Sequence, residues 1–392
     1  MGVGGGAVEE LVMFGDLFRG RRVFVTGHTG FKGSWLTLWL LDLGAHVTGY
    51  ALEPPTEPSL FGAAGLGELA GERFTDLRGD VRDLEALRLA LAEAQPELVF
   101  HLAAQPLVRR SYAEPRETYE VNVMGVVNLL EAVRGLAAAD RGPRVLVNVT
   151  TDKCYENLES SRAYVEGDAL GGFDPYSSSK ACSELVTAAY RRSFFAAPGA
   201  PAVATARAGN VLGGGDWGED RILPDCVRAL TRGEAVVVRS PGAVRPWQHV
   251  LEPLSGYLGL AAALWEDRLP QAGPAAAAGA WNFGPGPDCL VTVREVVEAT
   301  VRAWGAGEWR AAEGAEGAPH EAGLLVLDAG RAAREIGWRP AWDADQAVEE
   351  TVRWYKACAA GADAAALAAL CREQARAYAE AAARAGAAWA AA

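Results

Sequence analysis

Tyr176 and Lys180 stand four residues apart in the run YSSSK, a spacing that sets both side chains on one face of a helix. A phenol ordinarily gives up its proton near pH ~10 and is a poor base at neutral pH. An ammonium group beside it stabilises the phenolate, so the pair can take a proton from a hydroxyl. A second cluster, Thr151, Asp152 and Lys153, follows the run RVLVNVT. A threonine there can hydrogen-bond a reacting oxygen, and a carboxyl held protonated beside it is a general acid. The plainer alternative is an aspartate that caps a turn next to a surface lysine. A third group is Gly27-His28-Thr29-Gly30-Phe31-Lys32-Gly33, with glycine at every third position. Glycines let the backbone approach a pyrophosphate, and a following helix offers free N–H groups and a positive dipole end.

Each group needs a particular element to hold it, and the chain supplies one. The β-branched run from Arg22 to Thr26 predicts a buried strand ahead of the glycine turn, and Ser34 to Leu43 predicts the helix after it. Strands are expected at 46–52, 73–77, 97–102, 144–150 and 202–206, and helices at 83–94, 114–134 and 175–195. Strands alternating with helices of this length imply right-handed crossovers and a parallel sheet. The fold class is therefore α/β, a Rossmann-type doubly wound parallel sheet whose strand ends carry the chemistry, with a smaller C-terminal substrate-binding lobe. The expected organisation is an extension at 1–20, a dinucleotide-binding domain at 21–210, a lobe at 211–355 whose strands can weave back into the first domain, and an Ala-rich helical tail at 356–392. No internal repeat is visible, and 271–280 reads as a loop.

The strand ends also nominate cofactor contacts. Leu102, Ala103, Ala104 and Gln105 close the 97–102 strand, where small side chains suit close approach; His101 reads as a packed histidine. Asp80 and Val81 follow the weak third strand, so Asp80 either accepts from an adenine amino group or caps a turn. No Lys or Arg lies between Lys32 and Arg73 to meet a 2′-phosphate, and Glu53 lies 20 residues beyond Gly33, so NAD is expected rather than NADP. Glu53 reads equally well as a solvated loop carboxylate.

Composition narrows the rest. The chain has 392 residues, 50% hydrophobic, with a net charge of −13. An acidic chain of this kind is not expected to bind nucleic acid or an anionic membrane. Its six cysteines show no Cys-x-x-Cys pair, which suits reduced thiols and a cytoplasmic location. No signal peptide or bilayer span is expected. His249 and His320 are isolated, so no metal site is expected.

The runs VFVTGHTGFKG, HLAAQ, YEVNVMG, TTDKCY, YSSSK and RAGNVLGGGDW, in that order, resemble the extended short-chain dehydrogenase/reductase family over about residues 20–355. TGHTGFKGSWL, AAQPLVR, TDKCY, GGGDW and RPWQHVLEPLSGY resemble its nucleotide-sugar 4,6-dehydratases, and within them the branch acting on CDP-glucose. The resemblance implies a bound NAD. It implies that Tyr176, with Thr151 and Lys180, takes the proton of the sugar 4-hydroxyl, and that Asp152 protonates the departing 6-hydroxyl. Lys153 stands where dTDP-glucose relatives carry glutamate, and is either the base at carbon 5 or a charged stabiliser of the enolate. Asn210, Arg245 and Arg109 are implied substrate contacts, with His249 in the same RPWQH segment; Arg221 and Arg239 are further cations available for the diphosphate. A homodimer, or a dimer of dimers, through 114–134 and 175–195 is also implied. The rivals are a dehydratase or 4-epimerase for another nucleotide sugar, and an NAD-binding regulator without catalysis.

Overall fold

The computed structural model describes residues 13–158, 162–218, 220–266, 279–312 and 324–391. Seven parallel strands form the central sheet: β1 (Arg22–Thr26), β2 (His46–Ala51), β3 (Phe74–Arg78), β4 (Leu98–His101), β5 (Val145–Val149), β6 (Ala202–Ala208) and β7 (Ala280–Phe283). Their order is β7-β6-β5-β4-β1-β2-β3. The order reverses between β1 and β4, the crevice where doubly wound sheets bind ligands. Register lines up the carboxyl ends there: Thr26 pairs with Tyr50 and His101, His101 with Asn148, and Val149 with Ala206.

Helices cover both faces. The longer ones are α1 (Phe31–Asp42), α2 (Leu84–Ala94), α3 (Gly125–Ala138), α4 (Pro175–Phe194), α5 (Ile222–Thr231), α6 (Leu251–Trp265), α7 (Val293–Trp304), α8 (Ala344–Ala359) and α9 (Ala364–Arg384). Burial explains the apolar runs. Every residue of β5 (VLVNV) is buried, so apolar and exposed positions do not alternate along it, and its one polar residue, Asn148, donates to Ser183 and Thr187 of α4. The expected helix at 114–134 is a stack of Pro115–Tyr119, a π-turn at Glu120–Met124 and α3. This stretch is long and apolar enough to cross a membrane by composition, but it lies against the sheet with α2 and α4.

The second half returns to the first domain at two places. β7 pairs in parallel with β6, so the C-terminal half completes the sheet of the first domain. The remaining lobe consists of two-stranded ribbons, Val244–Pro246 with Leu290–Thr292 and Val236–Val238 with Trp309–Ala311, with α5 and α7. The Ala-rich tail is part of the core. Its helix α9 packs on α1, and Trp389 stacks on Phe14 with ring centroids 4.7 Å apart. Tyr378 of α9 donates to the buried Glu252 carboxyl of α6 at 2.7 Å. Most of the expected 271–280 loop and His320 lie outside the described residues.

Candidate active site

The glycine turn sits between β1 and α1 at the crevice. Gly27 has φ +77°, open to glycine at little cost. A Cβ there would stand 2.7 Å from the Ala103 nitrogen, and one on Gly33 would stand 2.0 Å from the Gly27 carbonyl oxygen. Gly30 is the N-cap of α1 with no side-chain cap, leaving the first-turn N–H groups for a ligand. Thr29 donates to the Leu52 carbonyl at 2.9 Å and ties the turn to β2. Phe31 reaches toward Gly213. This cradle of missing side chains and unclaimed N–H groups fits a dinucleotide pyrophosphate.

Three expected cofactor residues have contacts of their own within the chain. His28 turns its ring beneath β2, over Gly49, and bonds Asp76 at 2.7 Å, so its contribution to the turn is backbone. Asp80 pairs with Arg82 at 2.6 Å and accepts its N–H at 2.9 Å, which holds the carboxylate in a turn. Val81 is buried against Gly125. The argument for NAD from a lack of cations fails. Arg78, beside Ala51 in register, pairs with Asp76 at 3.0 Å and with Glu53 at 3.3 Å. Glu53 is thus an exposed partner of Arg78.

Along β4, Leu102 and Ala103 donate N–H bonds to the Thr26 hydroxyl at 3.2 Å, and His101 Nδ1 shares that hydroxyl at 2.7 Å. His101 is buried and pushed down to about 3, so it is a neutral packing residue as expected. Ala104 and Gln105 continue the loop. Gln105 donates its N–H to Asn122 Oδ1 at 2.8 Å, while Asn122 donates to Ser179 at 2.9 Å. The π-turn holding Asn122 therefore links the cofactor loop to α4.

The residues expected to be catalytic come together where β5 ends and α4 begins. Thr151 caps the turn Asp152–Cys154 and donates to Asp152 Oδ1 at 2.9 Å. Lys153 Nζ lies 3.3 Å from the same oxygen. Asp174 caps α4, and Pro175 opens it, which presents Tyr176 and Lys180 from the first two turns. Burial raises the Tyr176 phenol above its ordinary value; Lys153, rather than Lys180, is the main charge opposing that rise. The Thr151 hydroxyl favours the ionised form of the Tyr176 phenol, less strongly than the charge of Lys153 does. Lys180 donates to the Val149 carbonyl at 3.2 Å and is drawn down to about 8 by burial, against the pull of Glu184. Burial pulls Lys153 down too, but Asp152 and Tyr176 outweigh it and the net shift is upward. Lys32, in the first turn of α1, is pulled down to about 7, mostly by burial and then by Arg221.

Sequence reasoning missed the layer beneath. Glu184, one turn past Lys180, accepts from Thr150 at 2.5 Å, Thr205 at 2.7 Å and Arg207 at 2.8 Å. Arg207 also donates to Tyr155 at 2.7 Å, and Tyr155 donates to Asn282 at 2.8 Å. All are buried. The repeated four-residue step Tyr176, Lys180, Glu184 was the available signal.

The expected substrate residues come from both the first domain and the lobe. Asn210 lies in the loop after β6, and Gly209 beside it faces Asp152. Arg221 opens α5 and lies 3.5 Å from Asp216. Arg109 and Arg239 both reach Asp220. Arg245 donates to the Val244 carbonyl at 3.0 Å and contributes to the field at Lys153. His249 is a correction. It is 0% exposed, held between the rings of Trp35 and Trp342 and pushed down to about 3 by burial. It packs the core and is not a substrate contact.

Residues 24–255 match the family described as GDP-mannose 4,6 dehydratase. The chain belongs to this family. Among curated relatives it is 47% identical to a CDP-glucose 4,6-dehydratase of Salmonella typhimurium, covering 89% of this chain and 94% of that one. It is 31% identical to a dTDP-glucose 4,6-dehydratase of Actinoplanes, over 86% of this chain and 98% of that one. Among solved structures, a dTDP-glucose 4,6-dehydratase of Streptomyces venezuelae with NAD bound is similar, with TM-score 0.68, 28% identity and coverage of 86% and 97%. A Thermus thermophilus UDP-glucose 4-epimerase with NAD is similar too, with TM-score 0.69, 27% identity and coverage of 87% and 99%. A dehydratase and an epimerase are thus both similar in fold to this chain.

Proposed function

We infer that this chain is an NAD-dependent hydro-lyase that converts CDP-glucose to CDP-4-keto-6-deoxyglucose. The observation that carries the reading is the joint position of Thr151, Asp152, Lys153 and Tyr176 in a chain 47% identical to a CDP-glucose 4,6-dehydratase. A 4-epimerase needs no acid for water loss, so Asp152 argues for dehydration.

The residues that would hold NAD are the turn Gly27–Gly33 and the loop Leu102–Gln105. Bound there, NAD would supply the hydride acceptor for sugar carbon 4 and the hydride donor for carbon 6. Tyr176 takes the proton of the 4-hydroxyl, with the Thr151 hydroxyl orienting its oxygen. Lys180, fixed on the Val149 carbonyl, adds positive charge to the same pocket. The 4-ketone acidifies the proton on carbon 5; that proton passes to a base, and the 6-hydroxyl leaves as water with the proton that Asp152 delivers. Lys153, 3.3 Å from Asp152, either takes the carbon 5 proton as a free amine or, as the ammonium that Asp152 and Tyr176 favour, stabilises the enolate while solvent takes it. Asn210, Arg109, Arg221, Arg239 and Arg245 supply the diphosphate contacts.

The enzyme is further read as a cytoplasmic homodimer. All six cysteines are unpaired, which suits a reducing compartment. Exposed Tyr119, Met124 and Leu185 on the paired helices offer an apolar face for a second copy. Light scattering that returns a monomer would reject the dimer. The activity is tested by incubating the protein with CDP-, dTDP-, UDP- and GDP-glucose without added reductant and reading products by mass. Loss of one water from CDP-glucose is expected. Loss from another nucleotide instead overturns the base assignment, and loss from none overturns the reading.

A further inference from the structure

Two of the arginines assigned to the diphosphate converge on one carboxylate oxygen. Arg109, from the helix Val108–Ala113, lies 3.1 Å from Asp220 Oδ1. Arg239, just past the lobe strand Val236–Val238, lies 2.8 Å from the same atom. The two cations come from opposite sides of the crevice, one from the dinucleotide-binding domain and one from the lobe. Asp220 has φ +58°, a left-handed turn conformation that aspartate adopts more readily than most residues. It is not a buried structural ion pair: both Asp220 and Arg109 are 39% exposed. Arg109 Nε is buried and bonds nothing among the described residues, so its guanidinium retains donor capacity for a further acceptor.

One oxygen bridging two guanidinium groups is what a phosphate oxygen would do at this point. We propose that Asp220 is an internal stand-in for the substrate diphosphate: it occupies the seat between Arg109 and Arg239, and an arriving nucleoside diphosphate displaces it. Exposed ion pairs of this kind are weak, so a doubly charged diphosphate can compete for both arginines. Meanwhile the carboxylate keeps two like charges at working distance in the empty crevice. The consequence is a built-in tax on affinity, because the latched form must open before the diphosphate binds. This rests on the nucleotide-sugar reading above and deepens it.

The test is calorimetric titration of CDP into the full-length protein. Asp220→Asn removes the competing charge and keeps the side-chain size. Asp225→Asn is the control: it makes the same change in net charge nearby, on a carboxylate that pairs only locally with Arg228 at 2.6 Å. Asp220→Asn is expected to bind CDP about three- to tenfold more tightly than wild type, the effect of one or two exposed ion pairs. Asp225→Asn is expected to stay within about twofold. Adding Arg109→Ala to Asp220→Asn is expected to remove the gain. Unchanged or weaker binding by Asp220→Asn overturns the proposal, as does equal tightening by Asp225→Asn. Asp220→Ser gives the same reading should the asparagine variant fold poorly. A wild-type protein that binds no nucleoside diphosphate overturns the substrate reading itself, an outcome distinct from tight binding that Asp220→Asn leaves unchanged.

Discussion

Lys32 gives NAD affinity a pH dependence that can be worked from its surroundings. It lies in the first turn of α1, at the positive end of the helix dipole, beside Arg221, Lys180 and Lys153. Burial and those cations bring it down to about 7 in the ligand-free protein. A pyrophosphate seated on the turn reverses the balance, because an anion beside an ammonium favours the charged form. The sign follows: Lys32 is largely charged in the complex and half charged near pH ~7 without ligand, so binding takes up a proton and weakens as pH rises through that value. At pH 6 about nine-tenths of the free protein is charged at Lys32; at pH 8 about one-tenth is. Affinity for NAD is therefore expected to fall roughly tenfold between pH 6 and pH 8, about 1.4 kcal/mol. Calorimetry in two buffers of different ionisation heat reads both numbers: the affinity ratio, and uptake of about 0.9 proton at pH 8 against about 0.1 at pH 6. Lys32→Met removes the titrating group and flattens the profile. A wild-type affinity that does not change over this range refutes the reasoning, and so does a Lys32→Met variant that keeps the slope.

Three further outcomes are expected. Tyr176→Phe loses the proton acceptor and should lower the rate of dehydration about 10²- to 10⁴-fold while NAD binding, read by calorimetry, survives. Lys153→Arg should retain more activity than Lys153→Met if the side chain acts by charge; equal loss in both would return Lys153 to the role of base, since guanidinium does not deprotonate. Gly33→Ala should abolish NAD binding, because its Cβ would stand 2.0 Å from the Gly27 carbonyl oxygen; NAD titration of a variant shown folded by circular dichroism checks it.

Much of the fold was legible because its signals are local. A β-branched run, a glycine turn and an apolar helix follow one another within Arg22–Asp42, and each states its own conformation. The same holds for Asp174 and Pro175, which open α4 and so fix where Tyr176 and Lys180 face. The strands at 98–101 and 145–149 were readable as β-branched and apolar stretches, each with a single polar residue, since the parallel sheet is covered on both faces. Long-range partners were not readable. Arg78 is 25 residues beyond Glu53 in the chain yet meets it, because β2 and β3 lie side by side in register. His249 sits in a segment that resembles a substrate loop, but Trp35 and Trp342 close over it.

By itself the sequence determined the succession of strands and helices and the glycine turn between the first strand and helix, and it set Tyr176 and Lys180 on one helix face. Those follow from backbone preference, hydrophobic periodicity and i, i+4 spacing, which act within a few residues. Tertiary structure alone decided that 280–283 completes the sheet and that the Ala-rich tail seals the core through Trp389. It alone paired Glu184 with Arg207 under the catalytic helix, and drew Arg109 and Arg239 onto Asp220. Each of these joins segments more than ten residues apart. Charge and burial at such contacts depend on how neighbouring strands and helices are registered, and no local pattern in the chain records that.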